Sequence, residues 1–412
     1  MAKIKIGVFG AGRGMTMIRQ ILNSKEAELV AVCDKYKPLL DACKREAEAA
    51  GLYNITYYER FDDFFNHDMD AVVCANYAHE HAKFGIKLLE SGRHIMTECL
   101  TMANMAEAVQ LIETVEKTGM VYTYAENYCY TPVRWEMRNI YRSGALGELM
   151  YAEGEYLHDC SSIWPSITYG ERNHWRNLMP STFYCTHSLG PILYMTGLRP
   201  VKVSAFECPN MPFMRELGTA SGTMAVEMVT LENGAFVKSL HFGMKHVAHS
   251  NYQLNGDLGA MRDEGEGKLH AYIEQPGQNC KGEHTIYKPE PPIAEAAKSG
   301  HGGGDFWTTY NFIRSILGDE EAQKRSINVY DAVDMCIPGI LGYRSIVEGN
   351  TPQTIPNLRN VEERDAYRND TFCTFPDIAG DKYVSNNIYG DPPIPDEVFE
   401  KVRKMWGGEQ AW

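Results

Sequence analysis

The chain has 412 residues, 44% of them hydrophobic and 23% charged. That composition buries a sizeable core and excludes global disorder, and the length suggests two or three domains. A net charge of −14 argues against nucleic acid or an anionic membrane as partner, and no apolar run approaches the roughly 18 residues of a spanning helix. Met1-Ala2-Lys3-Ile4-Lys5-Ile6 reads straight into a strand rather than a secretory signal. Eleven scattered cysteines without CxxC spacing suit a reducing compartment, so a cytoplasmic location is expected.

The first third carries a strong rhythm. Ile4, Ile6 and Val8-Phe9 predict a buried strand that runs into Gly10-Ala11-Gly12-Arg13-Gly14-Met15. A helix follows with Ile18, Ile21 and Leu22 on one face, then a strand, Leu29 to Cys33, ending at Asp34. Strand, glycine turn, helix, strand and acid together fit a dinucleotide-binding unit. Gly10 permits the tight turn, and Gly12 lets the backbone approach a pyrophosphate at the helix N-terminus. A strict pattern would place glycine where Met15 stands, so Gly14 supplies the close helix–strand approach. Asp34 is placed to hold both ribose hydroxyls and to repel a 2′-phosphate, which favours NAD over NADP, with Lys35 softening that preference.

The alternation continues. Strands are expected at Ala71–Ala75, His94–Glu98 and Met120–Ala125. Helices are expected at His79–Ser91, Ala103–Thr118 with Gly119 as C-cap, and Pro132–Ser143. This predicts an α/β, doubly wound parallel Rossmann sheet with ligands at the strand ends, where Asn76, Glu98 and Glu126 stand. His79-Glu80-His81 lacks the spacing of a zinc helix, and no metal is expected.

From Leu149 the pattern becomes β-like: Leu149–Tyr156, Val201–Phe206, Thr223–Leu231, Ala235–Phe242 and Tyr252–Leu254, with a hairpin signal at Asn233-Gly234. An open, mostly antiparallel sheet in an α+β domain is expected. Helices return at Phe306–Leu317 and Val329–Val347, the second interrupted by Pro338, and should pack back across the domains. The tail after Asn360 suggests an extended arm around a neighbour, closing with a short amphipathic helix near Trp406. The expected division is a nucleotide-binding domain at 1–130, a substrate and oligomerisation domain at 131–360, and an extension at 361–412.

Ala75-Asn76-Tyr77, His81, Gly92-Arg93-His94 and Glu98-Cys99-Leu100 resemble the Gfo/Idh/MocA oxidoreductase family. Its usual catalytic lysine is replaced by Cys99, and its aspartate four residues before the catalytic histidine by Phe183. The segments Glu126-Asn127-Tyr128-Cys129-Tyr130, Gly154 to Asp159, His174-Trp175-Arg176, Tyr184 to Pro191 and Gly300 to Phe306 look like the glycoside hydrolase family 109 branch. The resemblance covers roughly residues 1 to 350. It implies cofactor contacts from the Gly10–Met15 turn with Ala11 and Arg13, and from Asp34, Asn76, His81, Glu98 and Asn127.

The implied reaction is hydrolysis without net redox change. A sugar C3 is oxidised by NAD, C2–H is removed, the C1 group leaves, water adds, and C3 is reduced again. Such chemistry needs tuned proton-transfer groups, not the paired carboxylates of ordinary glycosidases. His187 is the expected proton acceptor at the C3 hydroxyl, because histidine as a residue type titrates near neutrality. Tyr184 shares its helical turn, Tyr156 is the candidate for the C2 proton, and Glu126 stands for catalysis or substrate contact, or for a helix N-cap. His158 and Asp159 are candidates to position substrate or to form a strand-end hydrogen-bonded pair, Trp175 and Arg176 to supply a stacking platform and a donor, with a core tryptophan as the alternative, and His301 to reach a ligand from its glycine-rich loop. Asp305 reads as a helix cap and Cys99 as a small apolar filler. The partner is a small carbohydrate or glycoside, and a homo-oligomer, dimer or tetramer, is expected. Two other readings stand beside the glycosidase: a net sugar or glycoside 3-dehydrogenase, and a non-catalytic NAD- and sugar-binding sensor.

Overall fold

Ile6 and Val8 lose all solvent exposure because their strand lies in the middle of a sheet, with neighbours on both edges. A computed structural model describes residues 2–275, 277 and 281–407. In it β1 (Ile4–Phe9), β2 (Ala27–Cys33), β3 (Thr56–Tyr58), β4 (Ala71–Cys74), β5 (His94–Thr97) and β6 (Tyr122–Tyr124) form a parallel sheet in the order β3-β2-β1-β4-β5-β6. The connecting helices include α1 (Ala11–Leu22), α2 (Lys37–Ala49), α3 (His81–Glu90) and α4 (Met105–Thr118). At α4 the side chain of Asn104 accepts from the Glu107 N–H at 2.9 Å, and the Glu107 carboxylate accepts from the Ala103 N–H at 2.8 Å. This reciprocal cap starts the helix, and left-handed Gly119 ends it as expected. The strand order reverses between β1 and β4, so a ligand crevice opens at the carboxyl ends there.

A helix, α5 (Pro132–Arg142), leads into β7 (Leu149–His158). Two short helices, α6 (Trp164–Thr168) and α7 (Trp175–Leu178), lie in the loop that follows, before α8 (Cys185–Thr196). The second sheet is completed by β8 (Pro200–Glu207), β9 (Ala225–Leu231), β10 (Phe236–His241), β11 (Ala248–Gly256), β12 (Gly259–Gly265), β13 (Lys268–Glu274), β14 (Gly282–Tyr287) and β15 (Gln353–Thr354). Its order is β14-β13-β12-β11-β7-β10-β9-β8-β15, antiparallel except for the β7–β10 pair. Asn233-Gly234 makes the β9–β10 hairpin, with Thr230 opposite Phe236. β12 to β14 add an arm beyond the expected strands, with Met261, Leu269 and Ala271 buried and β14 mostly exposed.

α9 (Gly304–Ile316) packs on α1, and α10 (Val329–Val347) packs on β8 and α8. The expected break at Pro338 does not occur. The helix is buried along most of its length, and this packing outweighs the one backbone bond proline removes. Much of the tail after Asn360 packs onto its own chain. Arg364, 1% exposed, forks onto the Glu116 carboxylate at 2.7 and 2.6 Å, and Phe375 is fully buried. The last helix, α11 (Asp396–Trp406), sets the Trp406 ring 5.2 Å from Tyr36 and 5.0 Å from Tyr169. Among the described residues no helix is long and apolar enough to cross a membrane.

Candidate active site

The carboxyl ends of β1, β2, β4 and β5 enclose a groove of about 290 Å³ lined by Gly10, Gly12, Arg13, Asp34, Asn76 and Glu98. Gly10 has φ 99°, and a Cβ there would run into the Ala75 carbonyl. A methyl on Gly14 would sit 2.7 Å from Cγ1 of Val8, so this glycine sets the close approach of α1 to β1. Asp34 accepts from the Ala11 N–H at 2.7 Å and from the Tyr36 N–H at 2.8 Å. Burial raises its carboxyl despite these bonds. The Asn76 Oδ1 is buried with no hydrogen-bond partner. A glycine cradle, an acid at the β2 terminus and an orphaned amide oxygen fit a dinucleotide.

Lys35 is not free to attract a 2′-phosphate. Glu171, from the loop after α6, ion-pairs with it at 2.8 Å and accepts from the hydroxyls of Tyr36 and Tyr77, the latter at 2.7 Å. Burial alone would raise the Glu171 carboxyl, but Lys35 and the two phenols outweigh it and hold it low.

A second cavity of about 500 Å³ shares Gly12, Arg13, Glu98, Cys99, Ile167 and Arg176 with the groove, so the two form one cleft. Its walls carry Tyr128, Tyr156, His158, Tyr184, His187 and His301, with Met15 and Asn127. His187 lies in the first turn of α8. Its Nδ1 is 2.8 Å from both oxygens of Glu126, and Nε2 has no hydrogen-bond partner among the described residues. The Tyr156 and Tyr184 rings lie 4.7 and 5.3 Å from the imidazole and are nearly parallel to each other. Burial pushes the Tyr156 phenol well above its ordinary value. It also raises Tyr184, where Arg176, donating to the phenol oxygen, works against the rise.

Several candidates sit elsewhere than expected. Glu126 is 0% exposed and does not line the cleft. Its carboxylate orients His187, accepts from the Thr186 hydroxyl and caps the turn at the Tyr128 N–H, so its place is behind the histidine rather than against substrate. His81 lines neither cavity. Its nitrogens lie 2.6 Å from the Leu100 carbonyl and 3.2 Å from that of Asn76, so it braces two loops. Asp159 turns away to accept from Ser161 and the His246 N–H, bonds that hold its carboxyl down at about 2, whereas His158 does face the cavity. Trp175 is buried on the nucleotide side under the Arg176 guanidinium, 4.3 Å away, and offers no sugar platform in the larger cavity. Ala11 and Gly14 contribute backbone and space rather than lining. His79 and His81 diverge, the former stacking on Phe375.

A charged chain spans the cleft. His301 lies 2.7 Å from Asp305, which accepts from Arg13 at 2.6 Å and from Asn127 at 2.8 Å. Arg13 continues to Glu98 at 2.7 Å. Burial would raise the Asp305 carboxyl, but Arg13 and His301 prevail and hold it well below the usual range. Asp305 is therefore an ion-pair partner and not a simple cap. Nothing in sequence spacing announces a partnership across almost the whole chain. Cys99 is also more than filler: its Sγ stands where groove and cavity meet, 3.4 Å from Glu126. Burial, then Glu126 and Glu98, push its thiol up.

Residues 4–126 match the Gfo/Idh/MocA family, described as an oxidoreductase family with an NAD-binding Rossmann fold, and residues 252–362 match the glycosyl hydrolase 109 C-terminal domain. A glycosyl hydrolase family 109 protein of Solibacter usitatus is 26% identical over 86% of this chain and 88% of its own length. Glycosyl hydrolase family 109 protein 1 of Phocaeicola vulgatus is 22% identical over 86% and 84%. Among solved structures, levoglucosan dehydrogenase in complex with NADH and levoglucosan superposes with TM-score 0.71 at 17% identity, covering 86% of this chain and all of the other. Scyllo-inositol dehydrogenase from Lactobacillus casei, with NAD(H) and scyllo-inositol, gives 0.66 at 17% identity over 87% of this chain and 100% of the other. These structures share the fold.

Proposed function

We propose that this chain, whose residues 4–126 match the Gfo/Idh/MocA nucleotide-binding domain and residues 252–362 the glycosyl hydrolase 109 C-terminal domain, is an NAD-dependent glycosidase. It cleaves a glycosidic bond by transient oxidation at C3, elimination across C1 and C2, hydration and re-reduction. The observation that carries this reading is the single cleft in which a glycine-lined nucleotide groove opens onto His187 and two tyrosines. Gly10, Gly12, Asp34 and Asn76 would hold NAD, which would supply the oxidising and reducing equivalents at C3.

The remaining work falls to side chains. His187 Nε2 takes the C3 hydroxyl proton, and Glu126 fixes the opposite nitrogen and stabilises the imidazolium as it forms. Burial keeps the Tyr156 phenol protonated at rest. With the phenol's own proton passed to water in the open cavity, the positive charge on neighbouring His187 stabilises the phenolate, which accepts the C2 proton. Tyr184, Arg176, His158 and His301 orient the sugar hydroxyls from the cavity wall. Net oxidation to a 3-keto glycoside is the second reading, favoured by the dehydrogenases that share the fold.

Incubation with NAD⁺ and aryl glycosides in D₂O separates the readings. A released sugar carrying deuterium at C2 is expected. A 3-keto glycoside with stoichiometric NADH would move the assignment to a dehydrogenase, and NAD binding without turnover to a sensor.

The same reading includes a cytoplasmic homo-oligomer. The described cysteines are free thiols, as a reducing compartment keeps them. Phe206, Met228 and Phe236 stand exposed on three adjacent strands of the large sheet, an apolar face suited to a second copy.

A further inference from the structure

We propose that Cys99, Glu126 and His187 form a capture site for a soft divalent cation of the zinc class, and that its occupation takes His187 out of proton transfer. The three side chains come from the ends of β5 and β6 and the start of α8. One ligand atom from each lies within 4.8 Å of the others. Sγ is 3.4 Å and Nδ1 2.8 Å from the Glu126 carboxylate. Zinc bond lengths of about 2.0–2.3 Å call for ligand separations of roughly 3.5 Å, so small side-chain rotations bring all three onto one ion.

The charge balance suits a buried position. One thiolate and one carboxylate neutralise a divalent ion, and the imidazole adds a third ligand without charge. Thiolate and imidazole together select zinc-like ions over magnesium or calcium. Glu126 already has an outer shell, the Thr186 hydroxyl and the Tyr128 N–H, that holds its carboxylate in place. Cys99 and His187 both line the cavity, so an ion and the water that completes its coordination can reach the cluster from it. On binding, the Cys99 S–H bond breaks, its proton goes to solvent, and the sulfur pair forms the bond to the metal. The Nδ1 lone pair does likewise, and the proton that nitrogen carried passes to Nε2, so the ring stays neutral and Nε2 can no longer accept a proton. The Glu126–His187 hydrogen bond is lost. Binding stands on this geometry alone, while the inhibition rests on the proton-transfer role proposed above.

Co²⁺ titrated into the full chain, after treatment with a chelator, tests it. One cobalt per chain is expected, with tetrahedral visible absorption and a thiolate-to-cobalt charge-transfer band in the near ultraviolet that Zn²⁺ abolishes. Cys99→Ser should remove the band and weaken binding by more than the roughly 100-fold that outer-shell losses reach. Cys208→Ser, remote from the cluster, should keep both. No band in the parent protein, or an undiminished band in Cys99→Ser, overturns the site. Should Cys99→Ser not fold, Glu126→Gln replaces it and must shift the visible spectrum, an unchanged spectrum being fatal. A cobalt-loaded protein that still turns over glycosides overturns the inhibition. A protein that shows the band yet never acts on a glycoside removes the proposed function and leaves the site standing.

Discussion

Gly10, Asp34 and Asn76 reach the nucleotide groove from one continuous stretch of alternating strand and helix, and much of what they offer is backbone or a single carboxylate. Tyr156, His187 and His301 reach the adjoining cavity from three separate parts of the chain, with Glu126 behind the histidine, and what they offer is side-chain pairing. The groove tolerates change wherever the backbone path survives. The cavity depends on partners: His187 on Glu126, His301 on Asp305, Tyr184 on Arg176.

If this division holds, the largest effect belongs to His187. His187→Ala should lower kcat by about 10²–10⁴-fold with NAD affinity unchanged, read by steady-state kinetics beside fluorescence titration of the cofactor. A parallel loss of NAD affinity would merge the two regions.

Asp305→Asn comes next, because it leaves the Arg13 guanidinium with Glu98 as its remaining carboxylate partner. A loss of about 1.5–3 kcal/mol is expected in denaturant unfolding. The pH dependence has a definite sign. The folded carboxyl titrates below its ordinary 3.8, so its stabilisation is complete above that value and is lost as pH falls through the lower folded value. The variant should show a flatter acid limb, and an unchanged limb would remove Asp305 from the cleft's charge network.

Gly14→Ala probes the groove itself. With Val8 only 2.7 Å from the added methyl, about 1–3 kcal/mol of stability should go, read by thermal unfolding. Full stability would mean that α1 and β1 are not in tight contact.

The smallest effect is expected at Glu171. Glu171→Gln releases Lys35 beside Asp34 and should narrow the preference for NAD over NADP by about tenfold or less, roughly 1 kcal/mol. Dissociation constants for both cofactors measure it, and an unchanged ratio would show that Asp34 alone sets the preference.

The parallel domain was legible because its signals act over a few residues. Apolar β-branched runs, glycine at a turn and an acid at a strand end each constrain their own neighbourhood, so the turn at Gly10 and the acid at Asp34 stood out. The hairpin at Asn233-Gly234 was legible for the same reason. β12 to β14 were hidden because polar and charged residues interrupt their few buried positions, Met261, Leu269 and Ala271, and ladder pairing carries the exposed β14. Pro338 misled because burial of α10 outweighs a local preference. The tail's packing was hidden because a docking site for Arg364 or Trp406 is written in residues hundreds of positions away.

Within the cleft the residue types were readable and their partners were not. His187, Tyr184 and Tyr156 could be singled out by chemistry. That Glu126 stands behind the histidine, that Asp305 answers Arg13, that Trp175 belongs to the nucleotide side and that Cys99 touches both cavities came only with the folded chain. Backbone geometry and hydrophobic period are local properties and can be read along a chain. Burial and charge pairing depend on which distant segments exclude water together, and only the packed structure settles that.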